Sequence, residues 1–350
     1  MNTEIKKTNI SHNKIKNKII EIDNKFKNKK FDQNKYFRYL KNIDKSAATK
    51  HCYCTLIMIS NSFIPAILNT GYSLKHIAKV KYNTVCFVQD KPYYENNLLK
   101  FEGVNENDIK DIMKVYDIVI GIDILKLNFD KKDDKYQINY TNIIYYCTKS
   151  YIFGLTQYDK IIYLDASTYI KQSIDYLFDI YDISTYYLGI HTIGSIRGLF
   201  GNFMLIKSMD YYFDKLLYII NNYTKIFDND YYSLFTYDED VMYYAIYPYW
   251  NKNNINSDIF YNTYPVPNFQ IEDKERRTYP VMTNALLKPF RYPLIKQKIE
   301  RNFFINDCVN YKDWDDGVNL LIKKFPKFKK YFEYIKTYRY TNFIYTPMLG

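Results

Sequence analysis

The sequence predicts an α/β fold, in which a single, mostly parallel sheet is flanked by helices and followed by a helical C-terminal extension. The chain has 350 residues, of which 47% are apolar, so it can bury a sizeable core. Short apolar runs that suit buried strands alternate with longer segments at helical spacing. One of these runs, residues 161–164, ends directly on Asp165. Together these observations indicate a doubly wound sheet with polar groups at the ends of its strands.

The first half of the sheet is predicted from residues 52–122. The apolar run from Cys52 to Ile59 predicts a first strand, and the polar residues 60–62 predict the loop that follows it. Proline is accepted in the first turn of a helix, so a helix is predicted from Pro65 to about Ile77. The same reasoning predicts a strand from Thr84 to Val88, a helix from Glu106 to Tyr116 and a strand from Asp117 to Ile122.

The second half is organised around residues 155–168, which read LTQYDKIIYLDAST. Ile161 to Leu164 form an apolar run bounded by polar residues, as in a buried strand of a parallel sheet. Ligands of open α/β sheets bind outside the carboxyl ends of the strands, so Asp165 is positioned to meet a substrate or a metal. A simpler explanation stays open, because an aspartate after a strand often caps a turn or a helix. Two more strands are predicted at Tyr186 to Ile190 and Phe200 to Ile206.

Three groups of residues around and beyond Asp165 follow a known order and spacing. They are Lys149 with Leu155, Thr156, Tyr158, Lys160, Leu164, Asp165 and Ala166; then Ile174, Asp175, Leu177 and Phe178; and finally Lys288, Pro289 and Phe290. This pattern resembles the nucleotide-sugar glycosyltransferases of family 8, the glycogenin-like group, over roughly residues 52–290. The resemblance implies a GT-A-like (Rossmann-like) fold and a retaining transfer of a hexose, of glucose or galactose type, from a UDP-sugar to an acceptor.

The resemblance also implies a set of site residues. Those expected to bind the donor are Ile57, Ile59, Ser60 and Phe63 at the uracil and ribose, and Lys149, Asp165, Ala166, Ser167, Gly201, Asn202 and Lys288 at the diphosphate and sugar. Asp238 and Glu239 resemble the family's pair that hydrogen-bonds the sugar near its reacting carbon, so with Lys149 they are the expected catalytic residues. Two alternatives stay open, because acidic residues also stabilise the first turn of a helix and a single lysine often lies on a solvated helix face.

The chain departs from the family at its metal site. The second metal-binding aspartate of the family falls on Ser167 and the metal-binding histidine falls on Met282, which leaves Asp165 as the intact ligand. Mn²⁺ prefers oxygen and imidazole ligands, and a thioether binds it weakly. The sequence therefore predicts a UDP-sugar donor with a weak Mn²⁺ site at Asp165 and Ser167. Three outcomes stay open: an active enzyme with altered metal binding, cationic side chains in place of the ion, or a binding protein without catalysis.

The positive charge of the chain is concentrated at its N-terminus. The net charge is +11, and residues 1–50 carry 14 Lys and Arg against 5 Asp and Glu. A basic leader of this kind can be solvated or can attract nucleic acid or an anionic membrane, but no base-reading motif accompanies it, so nucleic acid is not the expected partner. Ile15, Ile19, Ile22 and Phe26 have near-helical spacing, which predicts an amphipathic helix docked on the body.

The predicted organisation has three parts: a basic N-terminal extension (1–50), a nucleotide-sugar glycosyltransferase domain (51–290) and a helical C-terminal extension (291–350). The five cysteines include no C-x-x-C pair, and neither a secretory signal nor a membrane span is visible, which favours a cytoplasmic location. The composition resembles that of proteins from large DNA viruses of protists, for which host cytoplasm or virion would apply; an AT-rich eukaryote stays open. The expected acceptor is an unknown glycan or protein, and a homodimer stays open.

Overall fold

The computed structural model describes residues 17–42, 44–58, 61–128, 143–166, 168–180, 187–189, 203–207, 210–226, 260–262, 281–283 and 304–333. These residues form a mixed α/β structure with a mostly parallel central sheet, so the predicted fold class is confirmed. The strands are β1 Arg38–Lys41, β2 His51–Ile57, β3 Asn83–Gln89, β4 Tyr93–Glu95, β5 Leu98–Phe101, β6 Ile118–Ile122, β7 Lys160–Leu164, β8 Thr168–Ile170, β9 Tyr187–Gly189, β10 Phe203–Lys207, β11 Phe260–Asn262 and β12 Val281–Thr283.

The main sheet has seven described strands in the order β1-β6-β3-β2-β7-β10-β9. Its four central strands, β6, β3, β2 and β7, pair in parallel. Both sides of this parallel core are completed by antiparallel pairing, of β1 with β6 and of β10 with β7 and β9. Two smaller sheets are also described: a three-stranded sheet in the order β11-β12-β8 and the two-stranded hairpin β4-β5.

Seven α-helices are described, and they cover both faces of the sheet. They are α1 (residues 17–26), α2 Ile64–Tyr72, α3 Glu106–Ile112, α4 Leu177–Ile180, α5 Tyr212–Asn221, α6 Tyr223–Ile226 and α7 Phe304–Lys324. Shorter helical segments are the π-helical turn Ser73–Ile77 and the 3-10 segments Gln33–Lys35, Lys45–Ala47, Asn61–Phe63, Ile143–Gly154 and Pro326–Tyr331. Pro65 lies in the first turn of α2, as the sequence predicts, because that turn does not need its N–H.

Side chains alternate across the central strands, so buried clusters form on both faces of the sheet. Along β2, Cys52, Cys54 and Leu56 face a core shared with α1, α5 and the segment Ile143–Gly154. Ile57, Cys86 and Val88 belong to the core on the opposite face, which α2, α3 and α7 cover. The strand ends are therefore held from both sides, by one helical layer on each face.

The N-terminal leader contributes to the first of these cores. Ile19, Ile22 and Phe26 are buried on α1, as their helical spacing predicts. Further along the leader, β1 joins the main sheet as an edge strand next to β6. The division of the chain at residues 50 and 290 stays a prediction, and the described part of the leader shares the core of the body.

Several elements end earlier than the sequence indicates. Strand β2 stops at Ile57, and α3 stops at Ile112 rather than at Tyr116. After Ile112 the chain tightens into a turn, in which the N–H groups of Lys114 and Val115 bond to the carbonyls of Asp111 and Ile112 at 3.1 and 3.0 Å. The Lys41 ammonium group donates to the carbonyls of Met113 and Tyr116, both at 2.5 Å, which the end of the helix leaves available. Within the part of the chain that the structure describes, no helix has the length and apolar character needed to cross a membrane.

Candidate functional site

The order of the strands creates a crevice between β2 and β7. From β2 the chain proceeds to β3 and β6 on one side and then returns to place β7 on the other side of β2. In open parallel sheets, the carboxyl ends of two strands that diverge in this way form the usual ligand-binding crevice. In this protein those two ends are Ile57 on β2 and Leu164 on β7.

Asp165 lies at this crevice. The parallel register pairs Cys54 with Tyr163, so Asp165, two residues further on, lies near the level of Leu56 on β2. Asp165 is partly exposed, and its carbonyl oxygen accepts a hydrogen bond of 2.9 Å from the N–H of Thr168. This bond closes a tight turn between β7 and β8, which we call the acidic turn (residues 165–168).

Lys149 approaches the same strand end from the first face of the sheet. Its side chain is buried, with 6% exposure, and Nζ lies 5.6 Å from the centroid of the Tyr163 ring. Tyr163 is two residues before Asp165, so the two predicted site residues Lys149 and Asp165 lie at one end of β7. An ammonium group over an aromatic ring is favourable, and it keeps this lysine near the crevice rather than on a solvated helix face.

The segment that carries Lys149 is fixed by its neighbour Thr148. The buried Thr148 hydroxyl donates to the carbonyl of Tyr145 at 2.7 Å and accepts from the N–H of Leu125 at 2.9 Å. Leu125 follows β6, so this contact ties the Lys149 segment to the parallel core. Lys149 therefore extends from a rigid element and not from a free loop.

The second face of the sheet supplies α2. Ala166 of the acidic turn is buried in the core that contains α2 and α7, and Phe63, at the start of α2, packs partly exposed against the same core. Three predicted donor-binding residues, Ile57, Phe63 and Ala166, thus share one hydrophobic cluster. The predicted aromatic at residue 63 lies on the chain segment that leaves the end of β2.

Sequence reasoning missed two residues of this region, Thr70 and Ser73. Both are buried, and their hydroxyls contact the backbone of the acidic turn and of β8. The signal was available, because Asn69, Thr70 and Ser73 are polar residues within a run that is otherwise largely apolar and helical. The contribution of α7 was also missed, since its Trp314 carbonyl accepts from Asn69 at 3.3 Å.

Two other carboxylates at the same edge of the sheet are neutralised by Arg38. Asp90 follows β3 and Asp123 follows β6, and Arg38 Nη2 lies 2.5 Å from Asp90 Oδ1 and 2.9 Å from Asp123 Oδ1. The hydrogen bond to Asp90 is the main cause that raises the pKa of the Arg38 guanidinium above its usual value. A cation from β1 therefore holds both of these aspartates at the sheet edge.

Asp175, from the second matching group of residues, has a structural role. It accepts a hydrogen bond of 2.9 Å from the Tyr53 hydroxyl and one of 3.1 Å from the N–H of Lys81. Burial and then the nearby Asp175 charge raise the pKa of Tyr53 well above its usual value, so Tyr53 stays protonated and remains the donor. Asp175, which matches the family pattern, thus binds the chain segment after β8 to β2 and to the backbone of Lys81.

The remaining predicted site residues lie outside the described residues and stay predictions. They are Ile59, Ser60, Ser167, Gly201, Asn202, Asp238, Glu239 and Lys288. The backbone of Met282 is described: it lies in β12 and pairs with Tyr169 of β8, directly after the acidic turn. The pairing therefore places residue 282, where the family has its metal-binding histidine, beside the strand that follows Asp165.

The described side chains near Asp165 do not form a metal-binding site. Among the described residues, no three His, Cys, Asp or Glu side chains come together as a metal-binding group. Asp165 supplies one carboxylate, and the strand that the pairing brings near it carries a methionine at residue 282. A thioether is a soft ligand that Mn²⁺ and Mg²⁺ bind poorly, so these residues do not fit the metal that the family resemblance implies.

Comparison with known proteins gives one similar sequence. No protein-family model matches the chain. The uncharacterized protein R707 of Acanthamoeba polyphaga mimivirus is 30% identical over 130 residues, which are 37% of this chain. The aligned region is 40% of the length of R707, so the chain matches less than half of that relative.

Comparison with solved structures gives glycosyltransferases. GlyE of Streptococcus pneumoniae TIGR4 has a TM-score of 0.48 at 12% identity, over 79% of this chain and 64% of GlyE. The galactosyltransferase LgtC, in complex with donor and acceptor sugar analogs, has a TM-score of 0.44 at 12% identity, over 76% of this chain and 99% of LgtC. A glycosyltransferase involved in glycosylation of the major capsid of PBCV-1 has a TM-score of 0.38 at 8% identity, over 71% of this chain and 100% of its own.

Proposed function

We propose that the protein is a glycosyltransferase that transfers a hexose, of glucose or galactose type, from a UDP-sugar to an acceptor with retention of configuration. The acceptor is a hydroxyl group of a glycan or protein. One observation supports the proposal: Lys149 Nζ lies 5.6 Å from the ring centroid of Tyr163 on β7, and Asp165, the other residue that matches family 8, follows the carboxyl end of this strand beside β2. Parallel sheets of this kind bind nucleotides at such a crevice.

The chemistry requires positive charge near the leaving group. When the bond between the sugar and the diphosphate breaks, negative charge grows on the diphosphate oxygen, and preorganised cations lower the barrier. Lys149, a compact charge at the end of a flexible stem, suits this role, and Lys288 is the proposed second cation. The proposed role of Asp165 is to accept hydrogen bonds from hydroxyl groups of the donor. Asp238 and Glu239 are the proposed partners of the sugar near its reacting carbon.

A second candidate function follows from the metal-site departures. With Ser167 and Met282 at the positions of two expected ligands, the same crevice could bind a nucleotide sugar without turnover. Both functions require the protein to bind a nucleotide, so one titration tests this requirement for both. Only the transferase is expected to hydrolyse the donor, so a hydrolysis assay distinguishes the two.

The test is a calorimetric titration of UDP into the purified protein, once with Mn²⁺ and once with a chelator. We expect binding under at least one condition and a loss of about tenfold in affinity for Asp165→Asn, which removes the charge but keeps the shape. Asp159→Asn is the matched control, because Asp159 precedes the same strand at its other end, is largely exposed and pairs with Lys50 at 3.0 Å.

The outcomes are distinct. Binding that requires Mn²⁺ would mean that Asp165 has metal-binding partners outside the described residues, whereas binding that ignores Mn²⁺ would assign the diphosphate to the lysines. Hydrolysis of UDP-glucose or UDP-galactose would then distinguish the transferase from the binding protein. No binding of UDP under either condition contradicts the proposal. We also propose a viral origin, which the similarity to the mimivirus protein R707 supports, and with it a location in host cytoplasm or virion.

A further inference from the structure

Two hydroxyl groups on the second face of the sheet hold the backbone of the acidic turn. Thr70 Oγ1, on α2, lies 2.7 Å from the carbonyl oxygen of Thr168 and 3.0 Å from that of Ala166, so it donates a bifurcated hydrogen bond across the turn. Ser73 Oγ accepts from the N–H of Ile170 at 3.1 Å and donates to the carbonyl of Thr70 at 2.8 Å. Three backbone groups after Asp165 are therefore bound to side chains of one helical segment.

The contacts of Thr70 differ from what hydroxyl side chains usually do inside a helix. Threonine is a weak helix former, and within a helix its hydroxyl commonly bonds back to the preceding turn. The hydroxyl of Thr70 instead contacts a different chain segment, 96 and 98 residues away in sequence. Because Thr70 and Ala166 are both buried, loss of this hydroxyl would leave backbone carbonyls without their partner in the core.

The helix that carries Thr70 is itself held rigidly. The hydroxyl of Tyr116 donates to the carbonyl of Ile67 at 2.9 Å, and Gly71 lies so close to this ring that a Cβ atom there would be 2.7 Å from Tyr116 Cζ. On the other side, Asn69 is bound to α7 through the carbonyl of Trp314. Rigid support of this kind is what a preorganised site needs, since the turn takes its geometry from α2.

We propose that Thr70 is a positioning residue, whose hydroxyl fixes the acidic turn so that Asp165 is preorganised to bind the nucleotide-sugar donor. The inference rests on the proposed function, and it adds a residue that the family resemblance does not assign. The support comes from one face of the sheet, through Thr70, while Lys149 approaches from the other.

The experiment compares three variants. Thr70→Val removes the hydroxyl and keeps the shape, and Thr70→Ser keeps the hydroxyl. Thr55→Val is the matched control, because Thr55 is a fully buried threonine on β2 whose hydroxyl has no hydrogen-bond partner among the described residues. Two readouts are used: amide hydrogen exchange of peptides that cover residues 161–170, with residues 83–89 of β3 as reference, and the affinity for UDP by calorimetry.

For Thr70→Val we expect exchange at residues 165–170 to rise about tenfold, without a rise in β3, and the affinity for UDP to fall about tenfold. Thr70→Ser should restore both values, and Thr55→Val should change neither. Unchanged exchange, a uniform rise that includes β3, or unchanged affinity in Thr70→Val would each overturn the inference. If the wild-type protein does not bind UDP, the proposed function fails. If the wild type binds UDP and Thr70→Val binds it equally well, only the role of Thr70 fails.

Discussion

Gly317 of α7 lies directly against the ring of Tyr169 on β8. A Cβ atom at residue 317 would be 2.8 Å from Tyr169 Cζ and closer still to Cε2, and Tyr169 is buried. The C-terminal helix, which the sequence left without a role, thus packs on the strand that follows the acidic turn. Glycine allows the helix and the strand to approach this closely, because it has no Cβ atom.

The first prediction is that Gly317→Ala destabilises the protein. Alanine favours a helix over glycine by about 1 kcal/mol, but overpacking a buried ring costs about 1–3 kcal/mol, so we expect a net loss in the free energy of unfolding. Urea denaturation measures it. Asp316→Ala, at an exposed position of the same helix, is the control and should stay within about 0.5 kcal/mol of the wild type. A stabilised Gly317→Ala would show that α7 does not pack closely on Tyr169.

The parts of the fold that the sequence predicts well are those with a local signal. The apolar runs of β2, β3, β6 and β7 are buried on both faces, so each reads as a continuous run with polar ends. The position of Asp165 at the crevice follows from the same run, because a strand end and its direction are local properties. These elements deviate from prediction by only a few residues.

Other features depend on pairing between distant segments and leave no local pattern. The entry of β1 into the sheet and the antiparallel direction of β10 are decided by which edge is available, and hydrophobic patterning does not specify either one. The contact of Thr70 with the acidic turn is similar, since its partners lie about a hundred residues away. A polar residue in an apolar helix indicates that a partner exists, but not which one.

Lys149 provides the second prediction. Its Nζ lies over Tyr163, so replacement by methionine keeps much of the packing and removes the charge. We expect Lys149→Met to lower the affinity for UDP by about tenfold or more, while the melting temperature stays within a few degrees of the wild type. Lys149→Arg should recover only part of the affinity, because a planar guanidinium does not occupy a buried lysine site in the same way.

Lys110→Met is the comparison for this experiment, since Lys110 is an exposed lysine on α3. It removes the same charge from the chain, so it corrects for any general electrostatic attraction of UDP to a basic protein. An affinity for UDP that is equal in Lys149→Met, Lys110→Met and the wild type would remove Lys149 from the proposed site.

The third prediction concerns acid stability and Asp117. Its carboxylate accepts from Lys75 Nζ at 2.5 Å and from the N–H and the hydroxyl of Thr84, both at 2.9 Å. Burial alone would raise the pKa of Asp117, but the bonds from Lys75 and Thr84 outweigh it and lower the pKa below the usual value. A lowered folded pKa means that the stabilisation is complete above the unfolded pKa, about 4, and is lost as pH falls through the folded value.

We therefore expect Asp117→Asn to be less stable than the wild type by about 1–3 kcal/mol at pH 7, with the difference shrinking as the pH falls below about 4. Urea denaturation at pH 7, 5 and 3.5 measures the difference. Asp316→Asn, at an exposed aspartate, serves as the reference for the general effect of losing one carboxylate. A difference between Asp117→Asn and wild type that does not depend on pH would contradict the assignment.

The fourth prediction concerns the ion pair that joins the leader to the body. Asp23 on α1 and Lys215 on α5 lie 2.7 Å apart, with side-chain exposures of 8% and 0%. Burial lowers the pKa of Lys215 in spite of the hydrogen bond and charge of Asp23. The attraction between the two side chains therefore offsets only part of the free-energy cost of removing them from water. Removing one partner leaves a buried charge, and we expect Lys215→Met or Asp23→Leu alone to cost about 3–5 kcal/mol.

The double variant Asp23→Leu with Lys215→Met tests whether the two side chains stabilise the protein through their interaction or independently of each other. It leaves no unpaired charge and restores apolar volume, so we expect it to recover most of the loss and to reach or exceed wild-type stability. Thermal and urea unfolding of the four proteins form a double-mutant cycle that measures the coupling directly. Additive losses in the double variant would mean that the two side chains stabilise the fold independently, and that α1 is held by Ile19, Ile22 and Phe26 instead. Recovery would show that the two side chains are energetically coupled, and that the buried pair stabilises the contact between α1 and α5 no more than apolar side chains would.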